Sequence, residues 1–238
     1  MNKIKKYIVI LLTQSKHAIN MLISRLYIAR NGYVDSITYK NIKIKLYLSE
    51  YNCGLSYKKR LTERALELAL AKAWTENLQD EYIEIGAVTP YYMRDFSKHS
   101  VIDPADAHEM VDIRKSLFEC DYREVCVLSI STIEHVGTGD YRLTKAEDCV
   151  EALNKILREC KSCLISFPMG YNKKLDNYVI GEMENDCFFK NQEQIQVYVY
   201  GRSKYGNDWE LLTNPEKQYK EYEYGPLWAN CVCFIEKI

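Results

Sequence analysis

Val125-Cys126-Val127-Leu128-Ser129-Ile130-Ser131-Thr132-Ile133-Glu134-His135-Val136-Gly137 is the stretch on which the fold turns. It opens with a short apolar run rich in Val and Ile, the pattern of a buried strand. It then passes through small hydroxyl residues to a carboxylate beside an imidazole. In an open parallel α/β sheet, ligands bind outside the carboxyl ends of the strands. A strand here therefore delivers Glu134 and His135 to the mouth of such a sheet. From the dipeptide alone, the polar opening of an ordinary loop fits as well.

The segments on either side extend the pattern. Upstream, Glu81-Tyr82-Ile83-Glu84-Ile85-Gly86-Ala87-Val88-Thr89-Pro90-Tyr91-Tyr92 predicts a strand, a tight turn and a helix. Gly86 is suited to the turn, where the chain reverses sharply and its backbone N–H groups approach a ligand. His99-Ser100-Val101-Ile102-Asp103-Pro104 reads as a second strand ending in Asp103, 17 residues beyond Gly86. That is close to the spacing of an acid that binds a nucleoside ribose, whose two hydroxyls a carboxylate can accept. Met110 to Ile113 reads as a brief third strand, Glu124 to Ser129 as a fourth, and Ser162 to Phe167 as a fifth, leaving through Pro168-Met169-Gly170. Helices are expected at 56–77, 91–96, 145–160 and 175–184. Strands alternating with helices argue for a parallel sheet. Ile195-Gln196-Val197-Tyr198-Val199-Tyr200 and the end of the chain, 230–237, read as two further strands.

Taken in order, these pieces resemble the S-adenosylmethionine-dependent class I methyltransferases. The resemblance covers roughly Tyr82 to Gly170 and rests on Glu84 two residues before Gly86, on Asp103 at a strand end, on the strand ending Ser-x-Ser-Thr-x-Glu-His, and on Pro168-x-Gly170. Glu134-His135-Val136-Gly137-Thr138-Gly139 and the Gly86-x-x-Thr89-Pro90 turn are similar to a less-characterised branch encoded with polysaccharide-synthesis enzymes. The resemblance implies an α/β fold with a Rossmann-like methyltransferase sheet, mostly parallel with an antiparallel last strand. It implies S-adenosylmethionine as cofactor, bound by Glu84, Gly86, Asp103, Asp112 and Ser129. Asp112 would take the adenine edge. His135 would act as general base toward a small or sugar-linked hydroxyl acceptor, with Glu134 orienting it or the acceptor. Asp140 and Tyr141 would lie within reach of that acceptor. The turn departs from the family's Gly-x-Gly-x-Gly at Val88 and Pro90. Val88 is β-branched where a Gly can take positive φ, and Pro90 suits the start of a helix. That departure keeps open a non-catalytic scaffold or partner-binding role on the same fold, and fold alone does not settle function.

Composition narrows the classes. The chain has 238 residues, 47% of them apolar, with a formal charge of −1. That length can hold one α/β domain with decorations, or a domain and a small appendage, and the charge lacks the basic excess of a nucleic-acid surface. The nine cysteines are odd in number, and Cys126, Cys163, Cys231 and Cys233 lie in strand patterns, as in a reducing, cytoplasmic protein. Cys160-Lys161-Ser162-Cys163 lacks a second pair, and Asp106-x-His108 lacks a third ligand, so no metal site is expected.

Residues 1–54 are expected to form an N-terminal helix, about Ile4 to Ala29, and a small hairpin at 34–48. The α/β domain then occupies 55–238. Apolar residues at helical spacing ringed by lysines leave three settings open for that helix: the domain itself, a homodimer interface, or the surface of an anionic membrane. No stretch approaches the roughly 20 apolar residues of a membrane-spanning helix.

Overall fold

The computed structural model describes residues 35–40, 42–46, 63–92, 99–140, 147–184, 192–202, 209–213 and 229–238. The N-terminal helix expected at 4–29, the boundary at 54 and Tyr141 lie outside them.

Strands β1 (Asp35–Tyr39) and β2 (Ile42–Leu46) form the antiparallel hairpin, with Tyr39 opposite Ile42. Helix α1 (Glu63–Glu76) follows. A seven-stranded sheet is then built from β3 (Tyr82–Ile85), β4 (Ser100–Ile102), β5 (Cys126–Ile130), β6 (Ser162–Pro168), β7 (Ile195–Gly201), β8 (Glu210–Leu211) and β9 (Cys231–Lys237), in the spatial order β4-β3-β5-β6-β9-β7-β8. The first four in that order pair in parallel. β9 runs antiparallel to both β6 and β7, so β7 keeps the direction of the parallel set. The architecture is mixed α/β with a mostly parallel central sheet.

Both faces of the sheet are covered, which explains why its strands read as unbroken apolar runs. Along β5, Cys126, Leu128 and Ile130 turn toward α1, the hairpin, Leu164 and Phe234. Val127 turns the other way, toward α3 (Cys149–Glu159), α4 (Lys173–Glu184), Cys163, Ile165 and Phe167. The cysteines of these strands are buried free thiols that pack as small apolar groups. Asp148 starts α3 by accepting the N–H groups of Val150 and Glu151. The hairpin is pinned to the sheet through Glu236 of β9, which accepts from Tyr39 Oη at 2.6 Å and Lys40 Nζ at 2.7 Å. Burial and that carboxylate push the Tyr39 phenol well up.

One expected element is absent. Met110 to Ile113 forms no strand; Ile113 makes a single parallel bridge to Ile102. Only Val111 of this stretch is buried, while Met110 is 46% exposed. Too little apolar surface is covered to hold a further edge strand. Among the described residues, no helix is long and apolar enough to cross a membrane.

Candidate functional site

The parallel strands β3, β4 and β5 end at a cavity of about 470 Å³. Its floor is the turn between β3 and α2 (Thr89–Tyr92). Gly86 sits there at φ +84°, and a Cβ on it would meet Thr132 Oγ1 at 2.0 Å. Glycine is required twice over, by the backbone conformation and by the close approach of the loop after β5. Val88 does not take a positive φ, so its β-branch is accommodated. Pro90 falls in the first turn of α2, where a missing N–H costs nothing.

Glu84 is placed differently from the expectation. Its carboxylate is fully buried and points under the turn. It accepts from Val88 N at 3.0 Å and Thr89 N at 2.7 Å, and also from the Thr89 hydroxyl. His99 Nε2 lies 2.7 Å from it, and the His99 ring stacks on Tyr82 at 4.6 Å. Glu84 therefore braces the turn and is not among the cavity's lining residues. Ser129 is likewise buried, its hydroxyl donating to Ile85 O at 3.2 Å, a stitch between β5 and β3. Asp112 accepts from Val101 N at 2.9 Å and also lies off the cavity. Without a third strand, Asp112 turns back on β4. These three belong to the frame of the site rather than its surface.

Asp103 does line the cavity. One oxygen accepts from Ala87 N at 3.1 Å, and the other from Ala105 N and Asp106 N, both at 2.8 Å. A carboxylate has about four lone-pair sites, so roughly one remains for a ligand. Asp106 and Glu147 add two further carboxylates to the wall. Among the described residues, no lysine or arginine lines it.

The other wall comes from the exit of β5. Ser131 takes a positive φ of 42° and lines the cavity, as does His135. A short 3-10 turn, Ile133–His135, carries the pair read from the sequence. His135 Nδ1 is 3.0 Å from Asp140 Oδ2. That oxygen also accepts from Thr138 Oγ1 at 2.6 Å and from the Tyr171 hydroxyl. Hydrogen bonds from Thr138, Tyr171 and His135 hold the Asp140 carboxyl down at about 2. An acceptor-only carboxylate at Nδ1 fixes that nitrogen as the N–H donor, so Nε2 is the basic one. The Tyr171 ring meets the imidazole edge-on at 4.7 Å.

Glu134 turns away from the cavity into the protein. It is 1% exposed, and neither of its oxygens has a hydrogen-bond partner. His135 Nε2 lies 3.7 Å from its Oε1. Burial, reinforced by the charge of Glu67, pushes its carboxyl well above the usual range. Glu67 lies on the buried face of α1, accepting from Ser131 Oγ at 2.7 Å and Ser166 Oγ at 2.9 Å. Arg64 Nη1 is 3.1 Å from it, close enough to pair by charge but not aligned for a hydrogen bond. Burial also raises Asp176, in the first turn of α4, to about 6, and Glu63 to about 7.

Sequence reasoning missed Glu67, Tyr171 and Asp176. Glu67 did carry a signal. It interrupts Ala65-Leu66-Glu67-Leu68-Ala69-Leu70, and a helix apolar all round is buried, so a lone acid within it has a purpose. Tyr171 and Asp176 carried none beyond ordinary loop and helix-start chemistry.

Comparison with models of known protein families gives no match, and neither does comparison with curated proteins.

Proposed function

We propose that this chain is an S-adenosylmethionine-dependent methyltransferase acting on a small or sugar-linked hydroxyl acceptor. The observation that carries this reading is the charge of the cavity. Asp103, Asp106 and Glu147 line it with no lysine or arginine among the described residues. Such a wall repels the phosphates of a dinucleotide and suits a ligand bearing a sulfonium and an ammonium. The volume lies within the range of small-molecule sites. Gly86 leaves the floor open where a Cβ would fill it. The seven-stranded sheet with its antiparallel last strand supports a Rossmann-like methyltransferase fold.

When bound, S-adenosylmethionine supplies a methyl group whose S–C bond breaks with the electron pair left on sulfur. The chain's own residues do the rest. Asp103 offers its remaining acceptor capacity to ribose hydroxyls, and Gly86 lets the backbone approach. His135 Nε2 takes the acceptor's O–H proton as the oxygen lone pair forms the new O–C bond. Asp140 and Tyr171 hold the imidazole in the tautomer this needs. The acceptor is held between His135 and the wall at Ser131 and Thr132.

A second reading, a non-catalytic scaffold, draws on the same details. Glu84, Ser129, Asp112 and most of Asp103 are occupied within the protein.

Calorimetric titration with S-adenosylhomocysteine separates the two. Binding is expected, and Asp103→Ala should weaken it by about 1–3 kcal/mol, the scale of a charged hydrogen bond lost at a buried site. No binding to the full chain at millimolar ligand would favour the scaffold.

A further inference from the structure

The hydroxyl groups of the cavity wall are all committed in one sense. Among the described residues, Tyr91, Ser116, Ser131 and Thr132 are the hydroxyl-bearing residues of its lining. A hydroxyl has one hydrogen to donate, and each of these four donates it inside the protein. Tyr91 Oη donates to Asp106 Oδ1 at 2.8 Å, and Ser116 Oγ to Glu147 Oε1 at 2.5 Å. Thr132 Oγ1 donates to Ile130 O at 2.9 Å. Ser131 Oγ donates to Glu67, whose two oxygens lie 2.7 Å and 2.9 Å away. Glu67 is buried on α1 and is not among the lining residues, yet it sets the direction of a hydroxyl that is. His135 likewise commits Nδ1 to Asp140 at 3.0 Å. The backbone of the glycine turn follows the same rule. Gly86 N donates to Ile102 O at 2.9 Å, Ala87 N to Asp103 at 3.1 Å and Val88 N to Glu84 at 3.0 Å.

We propose that the cavity takes a polyol as the methyl acceptor, a ligand dense in O–H or N–H donors and bearing no carboxylate or phosphate. The word acceptor rests on the methyl-transfer reading; the preference for donors does not. Hydroxyls whose hydrogens are committed offer only lone pairs, and the carboxylates of Asp103, Asp106 and Glu147 on the same wall offer only oxygens. A ligand hydroxyl meets such a wall by donating to it. An oxyanion meets lone pairs and like charge, and gives up its water without replacement. The volume of about 470 Å³ has room for a small polyol. Glu147 is the specificity residue. Ser116 holds its Oε1, and a Cβ on Gly137 would meet its carbonyl oxygen at 2.1 Å, so a glycine at φ +77° is what lets this backbone in. Neutral and amino-substituted polyols share the required chemistry, and the test tells them apart.

The test uses the full chain with its histidines labelled with ¹³C. The His135 resonance is assigned by its loss in His135→Ala. Glycerol, serinol and glycerate are titrated at one pH and one ionic strength. These three-carbon probes are small enough to need no stereochemical fit, and they differ in bearing a hydroxyl, an ammonium or a carboxylate. The expected result is a saturable shift of the His135 resonance with glycerol or serinol, at a half-saturating concentration at least about tenfold below that of glycerate. The tighter of the first two decides between a neutral and an amino polyol. Glu147→Gln removes a charge and puts amide N–H donors on the wall, so it should narrow the gap to glycerate to about threefold or less. Lost packing would instead weaken all three probes alike. Asp106→Asn should narrow the gap in the same way and stands in if Glu147→Gln does not fold. A smaller gap in the wild type, no saturable response to any probe, or a gap that both variants leave unchanged overturns the proposal. Parallel titration with S-adenosylhomocysteine keeps the two ideas apart. Donor preference without cofactor binding sinks the methyl-transfer reading and leaves the polyol site. Cofactor binding without the donor preference does the reverse.

Discussion

Asp103 and Glu134 flank the end of β3, one beyond β4 and the other beyond β5, and their carboxyl groups meet opposite surroundings. Asp103 accepts three backbone N–H groups and faces the cavity. Glu134 accepts none and is buried. The first arrangement shapes a turn. The second favours a neutral acid and leaves unmet hydrogen-bonding capacity. The difference teaches that two acids at equivalent strand ends can meet unlike surroundings, one tied to backbone N–H groups at the cavity wall and the other buried without a partner. Four experiments break or sharpen this contrast.

The largest effect is expected at the imidazole between the two halves. His135→Ala should lower turnover about 10²–10⁴-fold while cofactor affinity stays nearly unchanged. Asp140→Asn should act through His135, moving the pH profile of turnover more than KM. An active His135→Ala enzyme across pH 6 to 9 would remove the base assignment.

Next comes the architectural half. Gly86→Ala places a Cβ against Thr132 at a positive φ, so strain and overpacking together should cost about 2–5 kcal/mol by chemical denaturation. Thr132→Ala in the same chain should recover the overpacking part and leave the strain. Full stability of Gly86→Ala alone would mean that the turn rearranges freely.

Glu134→Leu should do the opposite, raising stability by about 1–2 kcal/mol. It replaces an unpartnered buried acid with an apolar side chain. It should also lower turnover, by less than His135→Ala, a trade of function for stability. A loss of stability would show that Glu134 is a needed part of the core.

The smallest effect is in pH. Asp176 is raised to about 6 and Glu63 to about 7, so between about pH 4 and those values the folded chain binds more protons than the unfolded one. Their contribution is whole below about pH 4 and fades as pH rises through 6 and 7. The slope is at most about 1.4 kcal/mol per pH unit for each group. Asp140, lowered to about 2, has the opposite sign. Its contribution is present above about pH 4 and falls away as pH drops toward 2. Its side chain is 39% exposed, so solvent screening makes that contribution small. Denaturation curves from pH 4.5 to 7.5 should show Asp176→Asn flattening the decline at the lower end of that range. An unchanged slope would place the Asp176 carboxyl in water.

Particular residues show how far the chain could be read in advance. Gly86, Asp103 and His135 were placed at the mouth of a sheet by strand-ending patterns, and there they stand. Glu84, Ser129 and Asp112 are cofactor residues that the family resemblance implies, and each is hydrogen-bonded within the protein away from the cavity. Strand periodicity says which end of a strand a residue occupies. It does not say whether a neighbouring N–H group has already claimed its oxygens. Met110 to Ile113 looked like a strand by its apolar content, yet the sheet ends one bridge short of it.

The sequence by itself determined the alternation of strands and helices, the hairpin, the glycine turn and the delivery of Glu134 and His135 to one edge, because these follow from local periodicity and backbone preference. Only the tertiary structure decided how the acids are used. Glu67 lies far in the chain from Ser131 and Ser166 and meets their hydroxyls only when α1 packs on the sheet, while Glu134 is buried without a partner. A carboxyl group's charge and partners depend on what surrounds it in space, and no local pattern encodes that.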